Sequence, residues 1–328
     1  MNIYEIAREA GVSIATVSRV VNNKGPVSAA TRARVEAVLA RHNYTPSAIA
    51  QSMVGKSLHT VAVLTVDIRV PHYAQTAYTI ERAFRRRGYG VILCNTGGDR
   101  EETLHYLKAV RQKQVDGIVL VGSVFDTICT GAPMTRLLTG LPVVLANGKL
   151  PLPNAYSVLV DDRYGIGLAV EHLAQRGRRE LYYIKDRDTD SALAKRDGFL
   201  EAMARCGLPA RGHVLESGQQ MEDSLQAVQQ LLADGVQPDG IICGEDLSAV
   251  GAVKALLRAG LQIPRQVAVV GYNHSDYARL CEPALTSIDN KPDQVALLSV
   301  QLLEGCLEQE AGQCSVTLLP ELVQGETS

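Results

Sequence analysis

The chain has 328 residues, which is enough for two or three domains with cores of their own. Its composition is 46% hydrophobic, yet no uninterrupted apolar run reaches about 18 residues, so a membrane span is not predicted. Seven cysteines show neither a C-x-x-C pair nor histidines at zinc spacing, and no charged-then-apolar leader opens the sequence. These features predict a cytoplasmic protein that holds neither a metal nor another cofactor.

The net charge of −2 is unevenly distributed along the chain. Residues 1–59 carry seven Lys or Arg against three Glu, whereas the remainder carries 26 basic against 32 acidic residues. The head is therefore basic and the body acidic. This asymmetry predicts that any contact with nucleic acid is confined to the head.

The beginning of the chain has the pattern of two short helices. Apolar side chains recur at helical spacing over residues 3–10. Asn2 and Glu5 are spaced as in a capping box, and Gly11 supplies the left-handed residue that ends a helix. A second short helix is predicted after Ser13, which can cap it. Two short helices joined by a turn with glycine form a helix-turn-helix.

The outer face of the second helix carries small, hydroxylated, amide and guanidinium side chains. This mixture suits hydrogen bonds to phosphates and base edges in the major groove of DNA, although a solvated helix face is the alternative. A third helix is predicted at about residues 29–42, where Ser28 can act as a cap, hold a phosphate, or do both. The predicted DNA contacts in these helices are Ile14, Ala15, Thr16, Ser18, Arg19, Asn22, Ser28 and Thr31. Ile14, Ala15 and Arg19 are expected to read bases, and the hydroxyl and amide side chains to contact phosphates.

These helices contain the run Glu5-Ile-Ala-Arg-Glu-Ala-Gly-Val-Ser13, followed by Ala15-Thr-Val-Ser-Arg-Val-Val-Asn-Asn23. Together with Val27-Ser-x-x-Thr-Arg-x-Arg-Val35 and Tyr44-x-Pro46, they resemble the LacI/GalR family of bacterial transcriptional regulators. The resemblance implies a homodimeric, ligand-responsive regulator, more often a repressor, that binds near-palindromic double-stranded operator DNA. It also implies that residues 46–59 are a hinge helix and linker, and that the helix inserts an apolar wedge into the minor groove. The predicted DNA contacts here are Tyr44, Ala50, Met53 as the wedge, and Lys56.

From Thr60 onward, short apolar runs alternate with helical stretches in two successive series. The first series predicts strands at 61–66, 91–93, 118–121 and 143–145 and helices near 73–87, 100–113 and 134–139. The second predicts strands at 181–184, 214–215, 241–243 and 267–270 and helices near 164–176, 193–206, 222–233 and 247–259. Each series predicts a lobe with a doubly wound parallel sheet, which makes the fold an all-α headpiece followed by an α/β core. The resemblance here is to periplasmic-binding-protein folds and implies crossings between lobes near Asp161, Asn290 and Pro320. The predicted domains are residues 1–45 for DNA binding, 46–59 as the hinge, and 60–328 for effector binding and dimerisation. Lobe 1 is expected at about 60–160 and 290–320, and lobe 2 at about 161–289.

Polar side chains at or beyond the ends of the predicted strands are candidates for binding a ligand, because two facing lobes create a cleft there. Carboxylates, amides and cations around an aromatic plane suit a polyhydroxylated effector such as a sugar. For each residue a surface or capping role stays open, and Asp246 could simply cap a helix. The candidates are His72, Tyr73, Asn95, Ser123 and Asn147 in the first lobe, and Lys195, Arg196, Glu245, Asp246 and Asn273 in the second.

Three of these positions match ligand-binding positions of the family but carry other residues. The resemblance implies that Lys195 replaces an Arg, Glu245 an Asn, and Asn273 an Asp. Lys is a point charge without the bidentate fork of Arg. These differences imply that the effector differs from those of well-known relatives.

Enzymatic activity is not expected from this sequence. No predicted strand is followed by a complete G-x-G-x-x-G, and neither H-E-x-x-H nor G-x-S-x-G occurs. A sugar-binding protein of the periplasmic type, without regulatory DNA binding, is the alternative to a regulator. It would account for residues 60–320 but not for the basic helix-turn-helix.

Overall fold

The computed structural model describes residues 2–21, 25–42, 58–209, 213–308 and 315–328. The predicted DNA contacts at Asn22, Tyr44, Ala50, Met53 and Lys56 lie outside these ranges, as does most of the predicted hinge. The chain forms two compact units, one of residues 1–60 with 114–116 and one of the remaining residues. Within the described ranges, no helix is both long and apolar enough to cross a membrane.

The headpiece consists of α1 (Ile3–Ala10), α2 (Ile14–Val21) and α3 (Ala29–Arg41). The predicted capping box of α1 is confirmed. The Asn2 side chain accepts hydrogen bonds from the backbone N–H groups of Tyr4 and Glu5, both at 3.0 Å, and Glu5 accepts one from the Asn2 N–H at 2.8 Å. Gly11 ends the helix in the left-handed conformation with φ of 64°. The sequence at both ends of α1 therefore sets its length.

A small apolar core holds the three headpiece helices together. Ile6, Val17 and Val35, one from each helix, have no exposed surface. On the outside, the Glu9 carboxylate contacts both the Arg41 guanidinium and the His42 ring at 2.9 Å. These contacts fix the end of α3 against α1. One side of α2 is directed to solvent.

The first lobe is built from alternating strands and helices. They are β1 (Thr60–Thr65), α4 (Pro71–Arg86), β2 (Gly90–Asn95), α5 (Arg100–Gln112), β3 (Gly117–Val121), α6 (Phe125–Ile128), α7 (Ala132–Leu138), β4 (Val143–Ala146) and β5 (Ala155–Val160).

The second lobe repeats this alternation. Its elements are α8 (Asp162–Gln175), β6 (Leu181–Lys185), α9 (Asp190–Arg205), β7 (Val214–Glu216), α10 (Met221–Ala233), β8 (Gly240–Cys243), α11 (Asp246–Arg258), β9 (Ala268–Tyr272), α12 (Asp276–Leu280) and β10 (Thr286–Asp289). The chain continues with α13 (Pro292–Leu307), β11 (Ser315–Leu318) and β12 (Glu321–Val323).

The strands form two six-stranded sheets, in the order β2-β1-β3-β4-β5-β11 and β7-β6-β8-β9-β10-β12. In the first order, neighbouring strands from β1 through β3, β4 and β5 to β11 are parallel. In the second order, neighbouring strands from β7 through β6, β8 and β9 to β10 are parallel, and β12 pairs antiparallel with β10 at the edge. The chain thus leaves the first sheet after β5, returns for β11, and joins the second sheet again with β12. Central strands such as β3 are buried throughout, as expected when helices cover both faces of a parallel sheet.

Candidate functional site

The exposed side of α2 presents several of the predicted DNA contacts. Ile14, Ala15 and Arg19 are exposed, and Thr16 and Ser18 are half-buried. The opposite side of the helix supplies Val17 and Val20 to the core. The predicted contacts on this helix that the structure describes therefore lie on its outward side or at its margin.

Hydroxyl pairs stand at the beginnings of α2 and α3. Ser13 Oγ accepts a hydrogen bond from the Thr16 N–H at 3.2 Å and lies 2.9 Å from the Thr16 hydroxyl. Ser28 Oγ likewise accepts from the Thr31 N–H at 3.3 Å and donates to the Thr31 hydroxyl at 2.9 Å. Ser28 is thus a cap, and each hydroxyl oxygen keeps acceptor capacity. Both helix beginnings remain suited to a phosphate because helix N-termini attract anions.

The aliphatic part of Arg19 lies against Gly25. A Cβ at Gly25, whose φ is +77°, would lie 3.7 Å from Arg19 Cδ. The stem of Arg19 thus passes near Gly25, and the Arg19 side chain is exposed.

In the second unit, a cavity of about 50 Å³ lies between the two lobes, beside the carboxyl ends of their strands. Its wall includes residues that follow β3, β4, β8 and β9, together with residues near the beginnings of α4 and α9. The predicted effector contacts that the structure brings together there are His72, Tyr73, Ser123, Asn147, Lys195, Glu245 and Asn273.

Three predicted effector contacts, Asn95, Arg196 and Asp246, do not line this cavity. Asn95 is exposed and accepts a hydrogen bond from the Ile68 N–H at 2.8 Å, which fixes the loop after β1. Arg196 donates to the Asp197 carboxylate at 2.6 and 2.9 Å. These two side chains are engaged elsewhere, so their assignment to the cavity is corrected.

Asp246 is a buried structural residue rather than a cavity residue. Its carboxylate accepts hydrogen bonds from the Ser275 N–H at 2.6 Å, the Ser275 hydroxyl at 2.8 Å and the Ser287 hydroxyl at 2.6 Å. Burial raises the pKa of Asp246 to about 7 despite these hydrogen bonds. The residue therefore ties the beginning of α11 to the loop after β9 and to β10.

The cavity is also lined by four residues that were not predicted from the sequence: Arg187, Thr189, Ser191 and Asn290. Arg187 comes two residues after β6, so the rule on strand ends could have found it. Asn290 follows β10, a strand that the sequence did not predict. Its amide nitrogen donates to Asn273 Oδ1 at 2.7 Å, while its buried oxygen has no hydrogen-bond partner among the residues that the structure describes. This oxygen has almost no exposed surface, so it is buried behind the wall and does not face a ligand in the cavity.

The charges around the cavity compensate one another. The Arg187 guanidinium lies 2.9 Å from the Asp186 carboxylate and 3.5 Å from that of Glu245. Lys195 Nζ donates to the Gly244 carbonyl at 3.0 Å and lies 3.8 Å from the centre of the Tyr272 ring. The site is therefore strongly polar without an excess of either charge.

His72 and Tyr73 face this cavity in their uncharged forms. Burial, helped by the cations of Arg187 and Lys195, lowers the pKa of His72 to about 3. Burial also raises the pKa of Tyr73 to about 12. At neutral pH the imidazole and the phenol can each donate or accept a hydrogen bond, as recognition of hydroxyl groups requires.

Two neighbours hold the aromatic rings of the site in place. The Tyr272 hydroxyl donates to Asp162 at 2.5 Å, which keeps the ring beneath Lys195. Gly122, with φ of +116°, allows the Tyr73 ring to lie across the end of β3, since a Cβ there would be 2.7 Å from Tyr73 Cε1. The shape of the cavity therefore depends on a glycine.

Together these features define a class of protein: a helix-turn-helix headpiece joined to a two-lobed sensor of small molecules. The family model for bacterial regulatory proteins of the lacI family matches residues 2–47, and the model for the periplasmic binding protein-like domain matches residues 170–328.

Whole-chain comparisons agree with this class. An HTH-type transcriptional regulator of Lachnoclostridium phytofermentans is 32% identical over 331 residues, which cover 100% of this chain and 99% of the relative. The ribose operon repressor of Escherichia coli is 33% identical over 306 residues, 91% of each chain. A crystal structure of the Lac repressor dimer bound to operator and the anti-inducer ONPF superposes with a TM-score of 0.88 at 25% identity, over 100% of this chain and 98% of that one.

The chain belongs to the lacI family of bacterial regulatory proteins. It is a ligand-responsive, sequence-specific DNA-binding transcriptional regulator and not an enzyme, which confirms the prediction from the sequence.

Proposed function

We propose that this regulator is a repressor whose affinity for its operator is controlled by a small, uncharged, polyhydroxylated molecule such as a sugar. The observation that carries this proposal is the cavity between the lobes. Its wall combines the amides of Asn147, Asn273 and Asn290 with hydroxyl groups and a buried aromatic ring. Such a wall can make many directed hydrogen bonds to hydroxyl groups. The relative named ribose operon repressor supports the same class of effector.

The charges at the cavity favour an uncharged ligand over a phosphorylated one. Asp186 and Glu245 already compensate Arg187, and Lys195 lies over the Tyr272 ring. A phosphate group would bring negative charge beside Glu245, and the Arg187 guanidinium is already engaged by two carboxylates, which leaves only the Lys195 ammonium to bind it. Sugar phosphates should therefore bind more weakly than the corresponding sugars.

The proposed division of labour follows the domains predicted from the sequence. Residues 1–45 bind the operator with α2 in the major groove, residues 46–59 connect, and residues 60–328 bind the effector and dimerise. A homodimer matches a near-palindromic operator, and the related Lac repressor was crystallised as a dimer on its operator. Because the partner is chromosomal DNA, the protein acts in the bacterial cytoplasm.

Control of DNA binding would arise from the contribution of both lobes to the cavity wall. A ligand that contacts both lobes favours one angle between them over another, and can change operator affinity only by its differential affinity for the two states. Couplings of this kind are typically about 1–3 kcal/mol, which corresponds to roughly 5–150-fold in affinity.

A ligand panel tests this proposal. Thermal unfolding of the full chain is measured with neutral sugars, sugar phosphates and nucleosides, and each hit is then tested for its effect on binding to chromosomal DNA fragments. At least one neutral sugar should raise the Tm and change DNA binding. Stabilisation by sugar phosphates or nucleosides alone would refute the proposal.

Neighbouring residues provide a matched pair of variants for the same assay. Lys195→Ala should remove most of the stabilisation by the sugar, because Lys195 lines the cavity. Arg196→Ala should leave it unchanged, because Arg196 is bound to Asp197 outside the cavity. If Lys195→Ala and Asn147→Ala both retain full stabilisation, the effector site is elsewhere.

A further inference from the structure

The first crossing between the lobes is made at Asp161, directly after β5. Its backbone N–H donates to the Leu318 carbonyl of β11 in the first lobe at 3.0 Å, and its side chain accepts from the Tyr164 N–H of α8 in the second lobe at 2.9 Å. Asp161 thus has a hydrogen bond to each lobe. Because the chain joins the lobes here, a rotation of one lobe relative to the other changes the backbone at or near this residue.

The next residue, Asp162, is buried at the beginning of α8. It is 4% exposed and is not among the residues that line the cavity. One carboxylate oxygen accepts a hydrogen bond from the Tyr272 hydroxyl at 2.5 Å, and the other accepts one from the Ser191 hydroxyl at 2.5 Å. Burial raises the pKa of Tyr272 well above its ordinary value, so the hydroxyl keeps the proton that it donates. Asp162 therefore joins β9 and the beginning of α9 to the first crossing.

Both partners of Asp162 lead to the cavity. Ser191 lines it directly. The Tyr272 ring lies beneath Lys195, which also lines the cavity and whose ammonium is 3.8 Å from the centre of the ring. Each route from the cavity wall to Asp162 therefore contains no more than one intervening side chain.

The last crossing between the lobes packs against the same place. Pro320 lies between β11 of the first sheet and β12 of the second. A Cβ at Gly165, about one turn after Asp162, would lie 2.8 Å from Pro320 Cγ and 2.9 Å from the Tyr272 hydroxyl oxygen. Two of the crossings therefore lie close to the hydrogen bond between Asp162 and Tyr272.

The hydrogen bonds of Asp162 are costly to lose. A carboxylate that is removed from water needs its donors, and the loss of either hydroxyl would leave a buried charge with less compensation. The position of Asp162 in the first turn of α8 adds the favourable field of a helix N-terminus. The geometry therefore favours a state in which Asp162, Ser191 and Tyr272 move together.

We propose that Asp162 is the positioning residue that couples the cavity to the first crossing between the lobes. Because Asp162 holds Ser191 and Tyr272, a molecule that moves the cavity wall turns the second lobe as one body about Asp161. Without this carboxylate the wall adjusts locally, and the angle between the lobes changes less. Asp162 thus acts on the control of DNA binding and not on the contacts to the effector. The inference rests on the proposed function and adds a residue that transmits the signal.

The test compares sugar affinity with the response of DNA binding. Calorimetry on the full-length protein gives the affinity for the neutral sugar that raises the Tm most in the ligand panel. Fluorescence anisotropy gives the affinity for the responsive chromosomal DNA fragment without this sugar and at its saturating concentration. The ratio of the two DNA affinities is the coupling factor, and by linkage DNA changes the sugar affinity by the same factor. The ratio compares folded states, so a loss of stability alone does not change it.

Two substitutions at Asp162 separate its hydrogen bonds from its mere presence. Asp162→Ala removes both hydrogen bonds, so it should keep the sugar affinity within about threefold and reduce the coupling factor to less than about a third of its original value. Asp162→Asn keeps an acceptor for the Tyr272 hydroxyl and offers a donor to Ser191 Oγ. It should therefore retain most of the coupling factor.

Arg163→Ala is the matched control on the neighbouring residue. Arg163 joins the same two helices, α8 and α9, on their exposed side through Asp197 and Glu201. This variant should keep the full coupling factor. If Asp162→Ala does not fold, as judged by circular dichroism, Tyr272→Phe takes its place. It keeps the ring beneath Lys195 and loses only the hydroxyl, and it should lower the coupling factor by at least about twofold.

The failures of the two proposals are distinguishable. Equal coupling factors in Asp162→Ala and Arg163→Ala overturn the role of Asp162 and leave the proposed function intact. A loss of sugar affinity in Asp162→Ala with an unchanged coupling factor also overturns this role. If sugar phosphates or nucleosides alone stabilise the chain, the proposed function fails, and the best of them replaces the sugar in the same comparison, which then decides on Asp162 by itself.

Discussion

Replacing Gly122 by Ala should damage the effector site by moving one ring. The added Cβ would lie 2.7 Å from Tyr73 Cε1, whereas ordinary contact begins at 3.4 Å, so the ring must retreat by about 0.7 Å. Because Tyr73 lines the cavity, this movement changes the shape of the effector site. Displacing the side chain from its rotamer costs about 0.5–1.5 kcal/mol, and a non-glycine residue with positive φ about 1–2 kcal/mol. The variant should therefore lose about 1.5–3.5 kcal/mol of stability.

Gly140→Ala is the matched control for this substitution. Gly140 also has a positive φ, of +79°, but a Cβ there would meet nothing within 4 Å. It should lose only the backbone part, about 1–2 kcal/mol. Chemical unfolding gives the stability of both variants, and calorimetry gives their affinity for the sugar selected by the panel. Only Gly122→Ala should weaken sugar binding, by roughly tenfold, which corresponds to about 1.4 kcal/mol. Equal sugar affinity of the two variants would refute the role of Gly122 in placing Tyr73.

Three further predictions concern DNA binding, pH dependence and helix capping. Arg19→Ala should weaken binding to the specific operator by about 1–3 kcal/mol in a gel-shift assay and leave random DNA nearly unaffected, and an equal loss on both would contradict base reading by Arg19. Burial raises the pKa of Asp126 to about 7, so the folded protein loses stability as the pH rises from about 4 through about 7. Asp126→Asn keeps the acceptor for the Lys149 N–H, so it should unfold at a higher Tm than the unmodified protein at pH 8 and at a similar Tm at pH 4. If the Tm of the two proteins changes with pH in the same way, Asp126 is not the source of this pH dependence. Asn2→Ala should destabilise the headpiece by about 1 kcal/mol through loss of the cap, measured by hydrogen exchange of α1, whereas the exposed neighbour Tyr4→Ala should have little effect.

The sequence predicted the elements whose apolar pattern is unambiguous. Strands such as β3, and amphipathic helices such as α10 with polar residues on one side, were placed within a few residues of their observed ends. α13 was missed. Its buried side includes Val295, Val300 and Leu303, but Leu297 and Leu302 lie on other sides of the helix. The apolar residues therefore do not show the regular spacing that indicates a helix with one apolar side. β10 has only four residues, and its pairing with β9 and β12 defines it as a strand.

The search for polar residues at strand ends found most of the residues that line the cavity. Where it gave a wrong residue or missed one, the reason is physical. Asn95 is the last residue of β2, an edge strand of the first sheet, and its side chain is bound to the loop after β1 instead. Arg196 is one residue from Lys195 on a helix, and successive helical residues point in different directions. Asn290 could have been recognised as a residue at a strand end only if β10 had been predicted. The free oxygen of its amide follows from the hydrogen bond to Asn273, which is a tertiary contact.

Neither sheet can be completed from one continuous segment of the chain. The first sheet receives β11 after the whole second lobe has been passed, and the second receives β12 a few residues later. During synthesis on the ribosome, the headpiece, whose core comes from residues 3–39, can fold early. The edges of β5 and β10 stay unpaired until residues 315–323 emerge. Nascent chains with these open edges are the stage most exposed to aggregation, and this stage is the one at which chaperones should matter for producing the regulator.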